Sequence, residues 1–132
     1  MIKEARRHRK LFGGAMRQCG IIAAAALYAL EHNIERLADD HAHAQIVADA
    51  VARSPGLELR PADVDTNIVI FHVSPSLGTA ADFAAALKQK GLLVLAVGPT
   101  LIRAVTHLDV DMAACRRAGE IIERMAEERQ RR

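Results

Sequence analysis

A small α+β fold, in which N-terminal helices lead into a small, mostly antiparallel sheet covered by helices, is predicted by three features of this 132-residue chain. IVIFHV at 68–73 is a β-branched and aromatic run of strand length. LLVLAV at 92–97 and TLIRAVT at 100–106 are two further extended stretches, joined through Gly98-Pro99 as a hairpin. Between and around them, apolar residues recur at three- and four-residue steps, the period of amphipathic helices.

The elements follow in order. Met1 to Lys10 carries Lys3, Arg6, Arg7, Arg9 and Lys10 against a single acid, Glu4, and makes a cationic opening. Gly13-Gly14 breaks it, and a helix is expected to resume by Met16, with Gln18 to Leu30 as its helix-forming stretch and Asn33 at the junction. From Ile34, the residues Leu37, Ala38, His41, Ala44, Val47, Ala48 and Val51 line one helix face, with Glu35, Arg36, Asp39, Asp40 and Asp49 facing outward. Ser54-Pro55-Gly56 stops that helix. Leu57 to Arg60 reads as an edge strand kept short by Pro61, and Ile68 to Val73 as the central strand. Ala80 to Gln89 is a helix with Phe83, Ala86 and Leu87 inward, ended by Lys90-Gly91. After the two hairpin strands, Asp111 caps a last helix that runs towards Arg124 and frays in the tail EERQRR. Residues 1–33 thus form a basic segment, glycine turn and connecting helix, and residues 34–132 one small α+β unit.

Composition narrows the function classes. With 51% hydrophobic and 26% charged residues the chain is a folded, globular one. A net charge of +2 is too small for a global field to recruit nucleic acid or membrane, and four aromatics leave little for base stacking. Cys19 and Cys115 make no disulfide framework and fit a reducing, cytoplasmic setting. The longest apolar run, Ile21 to Leu30, falls well short of the roughly twenty residues needed to span a bilayer.

Arg103 is the candidate around which the chain is organised. It stands in an otherwise apolar strand, with Arg103, Val105 and His107 alternating to one side and Ile102, Ala104 and Thr106 to the other. A guanidinium in an apolar wall requires an anion, and its planar fork suits a carboxylate. That anion is either an internal Asp or Glu or a ligand from outside. A second candidate is Arg9-Lys10-Leu11-Phe12-Gly13-Gly14-Ala15-Met16-Arg17, read as cations on either side of a glycine pair opening a helix, where backbone amides favour a phosphate. It has neither P-loop nor dinucleotide spacing. No metal site is expected. Asp39 and His43 are the only i,i+4 pair in DDHAH, and two ligands do not make a centre.

RKLFGGAMRQCGIIAAAALYALEHNIERLADDHAHA resembles the RK-x-x-GGGMRQ-x-G segment and following helices of low-specificity L-threonine aldolases, and VDTNIV with PTLIRAVTHLDV resembles the rest of their C-terminal region. The resemblance implies the small domain of a fold type I enzyme using pyridoxal 5'-phosphate, a homo-oligomeric lyase of amino-acid metabolism that cleaves threonine or allo-threonine to glycine and acetaldehyde. It implies that Arg103 holds the substrate carboxylate, and that Arg17, with Lys10, lies near the cofactor or substrate anion. Ala15 departs from the pattern, standing where a third glycine is usual. The family's cofactor-binding lysine belongs to an upstream S-K-G-x-G stretch, and Lys3, Lys10, Lys88 and Lys90 lack that context. No residue of this chain is therefore expected to be catalytic, and the chain, a truncated or split piece lacking the large domain, is expected to be inactive alone. A free-standing ligand-binding or regulatory module is the alternative.

Overall fold

The computed structural model describes residues 1–131. It divides into two compact units, Met1–Glu35 and Arg36–Arg132.

The first unit holds α1 (Ile2–Leu11) and α2 (Gly20–His32), and neither helix buries a residue. Glu4 in its first turn and the basic last turn His8-Arg9-Lys10 favour α1 through the helix dipole. The apolar helix α2 begins at Gly20 and not by Met16. Residues 17–19 are turn, and Gln18 takes a positive φ of 49° that no helix tolerates.

The second unit is a four-stranded, fully antiparallel sheet with three helices. Its elements are α3 (Leu37–Arg53), β1 (Leu57–Leu59), β2 (Ile68–Val73), α4 (Ala80–Gln89), β3 (Leu95–Ala96), β4 (Leu101–Val105) and α5 (Met112–Gln130), with strand order β1-β2-β4-β3. On β2, Val69, Phe71 and Val73 face the core, and on β4, Ile102 does. The helices supply Val47, Val51, Phe83, Leu87, Ile122 and Met125 from the other side. Fully burying each of the larger of these contributes about 1.5–3 kcal/mol.

Local signals explain the boundaries. The Thr79 side chain accepts from the Asp82 amide at 3.1 Å and opens α4; Asp111 accepts from Ala114 at 2.7 Å and opens α5. Each cap contributes about 1 kcal/mol. α5 does not fray beyond Arg124. Met125 and Ala126 are buried, and Arg129 donates to the Leu77 carbonyl at 2.6 Å and the Asp82 carbonyl at 3.0 Å while lying over the Phe83 ring. Of the tail EERQRR, Arg132 lies outside the described residues. β3 pairs over two residues only, so the expected strand from Leu92 is mostly unpaired. Asp40, expected outward, is buried at 3% exposure because Arg36 clasps it at 2.6 and 3.1 Å.

Candidate functional site

Arg103 sits in the middle of β4, opposite Ile70 of β2 and Leu95 of β3. Alternation along β4 assigns Ile102 and Thr106 to the buried face and Arg103 and Val105 to the other. The expectation of a buried guanidinium is corrected. All three helices of the unit pack on the Ile102 face, so the Arg103 face is open and the guanidinium is exposed. Its surroundings remain apolar. Ile70 is half-buried and Leu95 exposed, and directly opposed residues in an antiparallel sheet bring their side chains within about 4.5–5.5 Å. Among the described residues no Asp or Glu forms an ion pair with Arg103. The internal-partner reading of this arginine is therefore set aside. A fork held on a five-pair strand ladder, with apolar flanks and no carboxylate of its own, can take an anion by two parallel hydrogen bonds.

The far end of β4 is pinned. The Thr106 amide donates to the Asn67 carbonyl at 3.0 Å, its hydroxyl to the Asp40 carbonyl at 2.7 Å, and the Asn67 side chain returns a bond to the Thr106 carbonyl at 2.7 Å. Asp40, whose side chain Arg36 holds, thus anchors the strand end three residues from Arg103 through the Thr106 hydroxyl. His107 follows at the surface, its Nδ1 accepting from the Asp109 amide at 3.3 Å.

The glycine turn lies in the other unit and has a different local role from the one expected. Gly13 does not open a helix. It follows the C-cap Phe12 of α1 with a φ of 78°, and the amides of Gly13 and Gly14 donate back to Lys10 and Arg9 at 3.3 and 2.8 Å. This is a helix C-terminus, where backbone carbonyls repel anions, and glycine serves there because the left-handed conformation is strained for other residues. A Cβ on Gly14 would come within 3.1 Å of the Arg9 carbonyl oxygen, so the second glycine is needed for close approach. Lys10 is in the last turn of α1 and Arg17 three residues before α2; both are exposed and, among the described residues, in no ion pair. Cys19 is exposed at the α2 N-cap. Among the described residues no three His, Cys, Asp or Glu side chains gather as metal ligands, and no helix is long and apolar enough to cross a membrane.

Sequence reasoning missed a cleft of about 500 Å³ at the splayed end of β3, walled by Leu92, Val94, Ala104 and Ala118 and rimmed by Lys90 and Arg117. Its residues come from four separated segments, around Val47, Lys90–Val94, Ala104–Val110 and Ala114–Ile122, and no local pattern announces it.

Comparison with known proteins completes the description. The family model described as Beta-eliminating lyase matches residues 1–74. The chain is 39% identical over 116 residues to the probable low-specificity L-threonine aldolase 2 of Arabidopsis thaliana, covering 84% of this chain and 32% of that protein. It is 39% identical over 109 residues to the low specificity L-threonine aldolase of Escherichia coli (strain K12), covering 83% and 31%. The chain thus spans about a third of the length of these relatives. In fold it is similar to the ornithine delta-aminotransferase of Plasmodium falciparum, with a TM-score of 0.55 at 16% identity over 67% of this chain and 22% of that one.

Proposed function

The chain belongs to the beta-eliminating lyase family, and from that premise we propose that it supplies the amino-acid-binding part of a threonine-aldolase-like lyase dependent on pyridoxal 5'-phosphate. The substrate is threonine or allo-threonine and the products are glycine and acetaldehyde. The single observation that carries this reading is the exposed Arg103 guanidinium, set between Ile70 and Leu95 with no acidic partner among the described residues.

The residues present fit the anionic groups of such a complex. Arg103 binds the carboxylate of the amino acid and orients it through its fork, beside the side chains of Ile70 and Leu95. Arg17, and Lys10 beside the glycine turn, carry exposed positive charge suited to the phosphate or to the substrate anion. When bound, the cofactor supplies the electron sink that lets the bond between Cα and Cβ break. The chain contributes no lysine in the sequence context that would attach it covalently, so a lysine-bearing large domain is the partner that completes the site. The apolar helix α2, which buries nothing within its own unit, supports association with that domain or with a further copy of the chain. Two free cysteines fit a cytoplasmic setting.

The test is threonine cleavage by the chain joined to a lysine-bearing large domain. Arg103→Ala removes a charge-assisted pair worth about 1.5–3 kcal/mol, which raises the KM for threonine roughly 10–150-fold. Arg103→Lys, a point charge without the fork, restores only part of the affinity. An unchanged KM in Arg103→Ala refutes the assignment.

A further inference from the structure

Between α5 and the sheet, the second unit contains a cleft that the proposed aldolase chemistry does not use. It exists because β3 and β4 part company. Their ladder stops at Leu95 opposite Arg103, and the next in-register partners, Val94 and Ala104, do not pair with each other, although both line the cleft. The opening of about 500 Å³ falls within the roughly 300–1,000 Å³ typical of small-molecule sites. Leu92, Val94, Ala104, Ala118 and Ile121 give it an apolar wall. Its charged lining is of one sign. Lys90 and Arg117 stand at the rim, and no Asp or Glu lines the cleft itself. Among the described residues Lys90 and Arg117 form no ion pair. Lys90 also borders a smaller neighbouring depression that contains Glu128, out of ion-pair reach. The Cys115 thiol in the lining is neutral, since burial first, and then the charges of Asp111 and Asp40, push its pKa up.

We propose that this cleft binds a small amphipathic carboxylate, its aliphatic body against the Leu92, Val94 and Ala118 wall and its carboxylate at Lys90 and Arg117. Charge complementarity selects the class. A purely polar anion forfeits the apolar wall, and a neutral aliphatic forgoes the attraction of the two cations. Arg103 is not part of the lining, so the site is separate from the one proposed for the substrate carboxylate.

The experiment is titration of the full chain with octanoate, followed by nuclear magnetic resonance of backbone amides, with acetate and n-octanol as controls. Saturable shifts are expected at Ala104, Ala118 and Ile121, with both controls binding at least about tenfold more weakly than octanoate. Each of Lys90→Gln and Arg117→Gln should weaken octanoate roughly 2–5-fold, the range for a solvent-facing charge pair, and the double variant about tenfold. Both side chains are exposed, so these variants fold. Ala118→Phe, which fills the cleft, should abolish the shifts. Equal binding of octanol and octanoate, octanoate affinity unchanged in the double charge variant, or shifts confined to Ile21–Leu30 of the apolar helix α2 would each overturn the proposal.

Discussion

Gly119 sets how closely α5 approaches α3, and the consequence of adding one methyl there can be worked out. A Cβ at Gly119 would lie 3.0 Å from the Cβ of Ala50, where carbon atoms prefer about 3.5–4.0 Å. Ala50 is itself buried on a helix and has no flexible end to move aside, so the helices must separate. Gly119→Ala gains about 1 kcal/mol of helix propensity and incurs about 1–3 kcal/mol of overpacking, for a net loss of about 0–2 kcal/mol. Ala50→Gly alone loses about 1 kcal/mol of propensity and about 0.8 kcal/mol of buried methyl, or about 2 kcal/mol in all. In the double variant the propensity terms cancel and the methyl has only changed helices, which predicts stability within about 1 kcal/mol of the parent. The two substitutions therefore couple favourably by about 2–4 kcal/mol. Urea unfolding followed through the methyl resonances of Val51 and Ile122, one on each helix, measures all four species. Simple additivity of the two single variants would refute the close-packed α3–α5 contact.

Other outcomes follow from the titratable groups. The Asp82 carboxyl is held below its ordinary value of 3.8 by the Thr79 hydroxyl at 2.6 Å, then by the Thr79 backbone and by Arg129. A depressed carboxylate stabilises the fold above its unfolded pKa, and that contribution is lost as pH falls through the folded value. Thr79→Ala should move the Asp82 titration, read by carboxyl carbon resonance, upward and flatten the acid limb of stability; an unmoved titration counts against the cap. At the two cysteines, exposed Cys19 should react with a disulfide reagent near pH 8 while buried Cys115, its thiol pKa raised, stays protected until the unit unfolds. Equal reactivity of the two would contradict the burial of Cys115.

Much of the second unit was legible because local and tertiary signals agree there. IVIFHV is β2 to the residue, and Ala80 to Gln89 is α4 to the residue, since Thr79, the Phe83 and Leu87 spacing and Lys90-Gly91 all mark the same segment. The pattern of β4 also held: Arg103 and Val105 do share a face. Alternation, however, does not say which face the helices cover, and that is why Arg103 was expected buried and is exposed. Asp40 misled for a related reason, since a carboxylate on a helix reads as solvent-facing unless its partner four residues earlier is recognised as a clasp. The glycine pair was legible as a turn but not as the end of α1, because two glycines serve a helix C-terminus and an anion loop equally well. The cleft had no sequence signal, being produced by strands that fail to pair.

The brevity of β3 has a practical corollary for redesign. Arg103 takes its position from β2, through five paired residues, and owes little to its two-residue neighbour on the other side. The stretch Leu92 to Val94 can accordingly be exchanged or lengthened while the guanidinium keeps its place, which makes that short run a natural graft point for altering what the domain accommodates nearby.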